Sequence, residues 1–133
     1  MTSKQSPHII LPHLNWSLAR LKEAIEKEDT DYYRGAALQR FRLTYEVALK
    51  AIRAFAEQEG KSFSSDESYF QWIEGKKWFK KKSDWITVIQ NYKKVKNLPN
   101  EKSTGNAYSK LQDHYVLFNY INESLNIELS KNL

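Results

Sequence analysis

One uninterrupted stretch constrains this chain more than any other. From about Asp31 to Glu59 there is no Pro, and Leu38, Phe41, Tyr45, Ala48, Ile52 and Phe55 recur at alternating steps of three and four. That is heptad spacing, and it predicts a helix of about eight turns. Gly60 stands where a left-handed residue would close it. On the opposite side, at about 100° per residue, Gln39, Arg42, Glu46, Lys50, Arg53 and Glu57 make one narrow polar stripe. Ala36, Leu43, Val47, Ala51 and Ala54 make a second apolar stripe. A helix that is apolar on two sides is either central in its own fold or packed against a second chain.

The flanking segments supply its partners. Leu14, Leu18, Leu21 and Ile25 predict a first helix from about Asn15 to Glu28, with residues 1–13 as a flexible N-terminus. A third helix is expected from Ser65-Asp66-Glu67 to about Glu74, then a lysine-rich connector over 76–82. Ser83 is read as the cap of a fourth helix, Asp84 to about Lys96, with Trp85, Val88, Ile89 and Tyr92 on one face. After a loop over 97–105, the last helix is expected from about Asn106 to Leu129. Four Gly and three Pro in 133 residues leave little to interrupt these helices. The expected class is all-α, an antiparallel up-and-down bundle of four or five helices forming one domain over residues 1–133.

Several chemistries are excluded by residue type. With no Cys there is no disulfide, zinc knuckle or thiol nucleophile. His8 and His13 flank Pro12 without a third ligand nearby, so no metal site is expected, and no cofactor motif appears. No apolar run has the length of a signal peptide core or a membrane span, so a cytoplasmic protein without a membrane partner is expected. The charge is uneven. Residues 1–60 carry a net +1, residues 61–110 a net +6 and residues 111–133 a net −2. A nucleotide or RNA, if bound, would meet the basic 76–96 segment first.

The second helix also carries a recognisable run. Residues 34–50, and above all Gln39, Arg40, Phe41, Thr44, Tyr45, Glu46, Ala48 and Lys50, resemble the signature of the nucleotidyltransferase substrate-binding family, which typically reads Gln-Arg-Phe-Glu-Phe-Thr-(Phe/Tyr)-Glu-Leu-Ala-Trp-Lys. Departures are Arg42 for the acid, Leu43 for Phe, Val47 for Leu and Leu49 for Trp. The resemblance covers roughly residues 14–129 and implies a HEPN-type helical bundle. It further implies a homodimer, and assembly with a separately encoded minimal nucleotidyltransferase in a toxin–antitoxin-like pair. Ribonucleases of the wider HEPN group carry an Arg-x(4–6)-His motif. Here the last Arg is Arg53, the only His residues are His8, His13 and His114, and no Arg precedes a His at that spacing. Lys and Asn in 90–97 do not replace His as a proton shuttle near neutral pH. The carboxylate signature of the transferase itself is also missing. The resemblance therefore implies a non-catalytic substrate-binding or regulatory subunit. The alternative is an RNA-binding HEPN protein or degenerate ribonuclease toxin.

Candidate contact residues for substrate or partner are Arg34, Arg40, Glu46, Lys50, Lys93 and Lys94. For Arg40, Glu46 and Lys50 the competing reading is ordinary i,i+4 pairing on a solvated face. Arg34, on the core side by the helical count, is read either as a structural ion pair or as a pocket residue. Trp78 and Phe79 in the lysine connector either stack on bases or fold back to close the core. His114 is expected on the surface. Leu43, Val47, Ala51 and Ala54 are the candidate dimer interface, the alternative being that the second helix is central within one chain.

Overall fold

The structure is a computed structural model that describes residues 6–78, 82–97 and 107–131. Five long or medium helices carry it: α1 (Pro7–Ile25), α2 (Asp31–Gln58), α3 (Asp66–Gly75), α4 (Lys82–Asn97) and α5 (Leu111–Ser130). No strand occurs among the described residues, so the all-helical class holds.

The helix starts are written in short polar residues. Thr30 accepts from the Tyr33 amide at 3.2 Å and opens α2, and Ser65 accepts from the Ser68 amide at 3.2 Å and opens α3. Asp66 and Glu67 in the first turn of α3 face the positive end of its dipole. At the far end of α2, Gly60 has φ +75°, the left-handed conformation expected of a glycine just past a helix.

The boundaries differ from the sequence expectation at both ends of α1 and at the starts of α4 and α5. α1 stops at Ile25 rather than about Glu28. α4 opens at Lys82, so Ser83 falls inside the helix instead of capping it. α1 begins at Pro7, eight residues before Asn15. Ser6 accepts from the His8 amide at 3.2 Å, and Pro7 occupies the first position, where its missing N–H is harmless. Pro12 lies inside the helix on its exposed side. Residues 7–13 thus belong to α1 rather than to a flexible terminus, because Ile10 and Leu11 are buried. α5 begins at Leu111 rather than Asn106, with only a helical turn at 107–109 before it. The expected loop over 97–105 falls almost wholly outside the described residues.

α2 is the centre of the bundle, in contact with α1, α3, α4 and α5. α1 runs antiparallel along one side, and there the buried Ser17 and Thr44 hydroxyls pair at 2.7 Å. α5 runs alongside another, in the same direction as α2. Arg34 meets Tyr108, while Phe41 meets both His114 and Phe118. Asn122 donates to Asn15 across the α1–α5 seam, which fixes the register of two otherwise apolar faces. Phe55 closes the other end against Trp72 and Trp78, with ring centroids 5.6 and 5.5 Å away. Trp78 therefore folds back onto the core, while Phe79 lies outside the described residues.

His114 is not a surface residue. It is buried, stacked on Phe41, and paired with the Asn91 amide at 2.8 Å. Burial holds its pKa down at about 4. The neutral ring accepts from Asn91 at Nε2, which leaves the proton on Nδ1.

Two expectations follow. Phe41, fully buried, should lose about 3–5 kcal/mol as Phe41→Ala, and a thermal melt within about a degree of the parent would contradict its place in the core. Because His114 is neutral when folded but takes up a proton near pH 6.5 when unfolded, its contribution is complete above that pH. It fades as the pH falls toward about 4, at most about 1.4 kcal/mol per pH unit. Urea melts at stepped pH should show that slope in the parent and lose it in His114→Gln.

Candidate functional site

Three segments meet at one open groove. α2 supplies Tyr45, Glu46, Leu49 and Arg53, the start of α3 supplies Asp66, and α4 supplies Tyr92 and Lys96, around a cavity of about 270 Å³. Its floor is a pair of tyrosines. The Tyr45 and Tyr92 rings stack with centroids 3.8 Å apart and planes within 10°. Their hydroxyls diverge to two different carboxylates. Tyr45 Oη donates to Asp66 Oδ2 at 2.7 Å, and Tyr92 Oη donates to Glu46 Oε2 at 2.6 Å.

Each carboxylate also receives a guanidinium. Arg53 Nη2 donates to Asp66 Oδ1 at 3.0 Å, and Arg42 Nε donates to Glu46 Oε2 at 3.3 Å. The groove is thus built from two arginine–carboxylate–tyrosine clusters, one rooted on each side of the ring stack. Lys96 adds a cation 5.8 Å from the centre of the Tyr92 ring, and Lys93 reaches Glu67 at 3.6 Å beside it. Burial, reinforced by the hydrogen bond to Asp66, pushes the Tyr45 hydroxyl far above its ordinary value. Burial and the bond to Glu46 push Tyr92 up to about 12. Both phenols therefore stay protonated at neutral pH and act as donors and stacking surfaces rather than as nucleophiles. None of the three His residues lines the groove: His8 and His13 are exposed on α1, and His114 is buried behind Phe41. Such an arrangement can hold a polar ligand by hydrogen bonds and charge.

The sequence candidates divide. Glu46 lies in the groove and Lys93 beside it. Lys50 and Lys94 are exposed and do not line it. Arg40 is elsewhere, its guanidinium 5.5 Å from the centre of the Trp16 ring on the α1–α2 face. Arg34 is also elsewhere, and it is not on the core side. Its side chain is 44% exposed and pairs in a fork with Asp29, over the Tyr108 ring at 4.8 Å. That ion pair lowers the Asp29 pKa and raises that of Arg34. The structural-pair reading of Arg34 is the one observed, because the loop before α2 places an acid within reach.

The dimer candidates also divide. Leu43 is exposed and Val47 half-buried, but Ala51 and Ala54 are covered by the chain itself. Both alanines belong to the chain's own core and present no outer surface. Asp66, Tyr92, Arg53, Lys96 and Leu49 were not singled out by sequence as site residues. Asp66 reads as part of a helix start and Tyr92 as part of an apolar face, and each also takes part in the groove.

Among the described residues no group of three or more His, Cys, Asp or Glu is placed to hold a metal ion, and no helix is long and apolar enough to cross a membrane. The sequence profile of a family described as nucleotidyltransferase substrate binding protein like matches residues 10–127. Among solved structures, a protein from Thermus thermophilus is similar at 24% identity, over 84% of this chain and 98% of that one, with a TM-score of 0.75. That likeness shows the fold. No curated protein matches the sequence.

The clusters make a graded expectation. Tyr45→Phe should destabilise the chain by about 1–2 kcal/mol, since it removes a hydroxyl from a carboxylate in a buried setting. Tyr92→Phe should do so by less, because the half-exposed Glu46 keeps Arg42 and reaches water. Urea denaturation of the two variants checks the order, and a larger loss for Tyr92→Phe would reverse the assignment of the anchoring cluster.

Proposed function

The chain belongs to the nucleotidyltransferase substrate binding protein-like family, and from that premise we propose that it is a non-catalytic substrate-binding or regulatory subunit of a two-component minimal nucleotidyltransferase. The observation that carries the reading is the groove between α2, α3 and α4, where donors, acceptors and cations are held in place by the chain's own pairs. Such a surface positions a ligand, and positioning is a contribution a separate catalytic chain can use. The metal-binding carboxylates for transfer would come from that chain, a separately encoded enzyme in a HEPN and nucleotidyltransferase pair of the toxin–antitoxin kind, in the cytoplasm.

Self-association belongs to the same proposal. Trp16 is 58% exposed on α1, beside Arg40, and Leu43 and Val47 continue that face on α2. A homodimer would cover these apolar groups with a twofold partner.

A second reading has its own support. Lys93, Lys94 and Lys96 are exposed along α4 and give an RNA backbone or a nucleotide a basic edge to bind. In that reading the chain is an RNA-binding or degenerate ribonuclease member of the HEPN group. Binding that weakens steeply with salt, without any enzyme present, would favour it.

The accessory reading expects pure chain to show neither ribonuclease nor nucleotidyl-transfer activity. Light scattering should find a dimer that becomes a defined larger complex when the minimal nucleotidyltransferase encoded with it is added. Metal-dependent RNA cleavage by the pure chain, or no complex with that enzyme, would overturn it. A Val47→Glu variant that stays folded but runs as a 15.7 kDa monomer would support the α1–α2 face as the dimer contact.

A further inference from the structure

The outer face of α5 is unlike the rest of the surface. Between Leu111 and Ser130 there is no Lys or Arg, although the chain carries 21 of them, while Asp113, Glu123 and Glu128 all fall there. Most apolar residues of α5 are buried, but Val116, Tyr120 and Ile127 are 43%, 43% and 57% exposed. With Glu123 they are spaced by four, three and four residues. That is the spacing of a heptad seam, and on a helix it confines the four side chains to roughly 60° of arc.

A seam of this kind receives another helix laid nearly along it. The charge at its middle then selects the partner. A carboxylate covered by an apolar helix loses its hydration, and a cation at the facing position offsets that loss more fully than a neutral donor. Glu123 accepts from the Asn119 amide at 3.2 Å, a neutral donor that leaves its charge unmatched. The net +5 of the chain repels a cationic partner elsewhere and leaves this acidic helix as the face that attracts it.

We propose that the outer face of α5 docks an amphipathic helix of another protein, one that carries Lys or Arg at the centre of an otherwise apolar heptad seam. The same face of a second copy does not fit, since it brings Glu123 toward Glu123. A second copy offering Arg40, Leu43, Val47 and Lys50 from α2 would make a head-to-tail contact, which forms rings or filaments. The proposal is independent of the accessory role and concerns a different face from the groove.

The test uses the full chain and two synthetic helical peptides, identical except for Lys or Glu at the central position of a leucine seam, with binding read by fluorescence anisotropy. The parent should bind the Lys peptide about tenfold more tightly than the Glu peptide. Glu123→Lys should reverse that order, and Ile127→Asp should lose both. Both positions are exposed, and circular dichroism verifies that the variants fold. Equal binding of the two peptides, an order unchanged by Glu123→Lys, or no binding up to about 100 micromolar overturns the proposal. So does light scattering in which the parent forms concentration-dependent assemblies that Glu123→Lys abolishes, which would make the occupant a second copy.

Discussion

The hydrogen bond from Tyr45 to Asp66 joins the core of this molecule to its groove. The ring of Tyr45 is buried among Phe70, Tyr92 and Phe118, while its hydroxyl reaches the first residue of α3. One side chain thus serves two purposes. Its apolar body helps α2 hold α4 and α5, and its polar tip sets where the short α3 begins. α3 has only ten residues, too few to be stable alone. Its place depends on what fixes its start and on the rings it buries: Asp66 on Tyr45 and Arg53, then Phe70 on Trp85, then Trp72 on Phe55.

The groove inherits that rigidity. Its arginines are held by its carboxylates, and its carboxylates are shared with tyrosine hydroxyls, so each of these groups has a partner before any ligand arrives. Preorganised groups lose little freedom on binding, which suits positioning. They also leave unused the second lone pairs of the carboxylates and the remaining guanidinium N–H groups, so a ligand can be bound without breaking the clusters. With both phenols protonated near neutral pH, the groove presents hydrogen-bond donors and ring faces rather than phenolate nucleophiles.

Much of the fold was legible in the sequence, because it rests on local patterns. The heptad steps from Leu38 to Phe55, the Ser65-Asp66-Glu67 start and Gly60 place α2 and α3 within a residue or two of where they lie. The start of α1 was less legible. Residues 1–13 read as a flexible terminus, yet Ser6 and Pro7 open the helix and Pro12 sits on its exposed side. The two apolar stripes of α2 were visible, but their use was not. Whether Ala51 and Ala54 are covered by the chain itself or by a second chain depends on packing that periodicity does not encode. The groove was the least legible feature. It draws on three segments, and residues such as Asp66, Tyr92 and Arg53 each have an ordinary local reading as helix start, apolar face or solvated stripe. Glu46 was found by its place in the signature run, while Arg34 and Arg40 from the same run serve other surfaces.

Whether the groove positions a ligand for chemistry done by another chain is tested most directly by steady-state kinetics of the minimal nucleotidyltransferase proposed as its partner. The enzyme would be measured in complex with the parent chain and with an Arg53→Ala, Lys96→Ala variant whose fold and complex are verified first. If the groove holds substrate, the variant complex should show a KM raised about tenfold with kcat nearly unchanged, the pattern of lost uniform binding. An unchanged KM, in a complex that still assembles, would contradict that role for the groove.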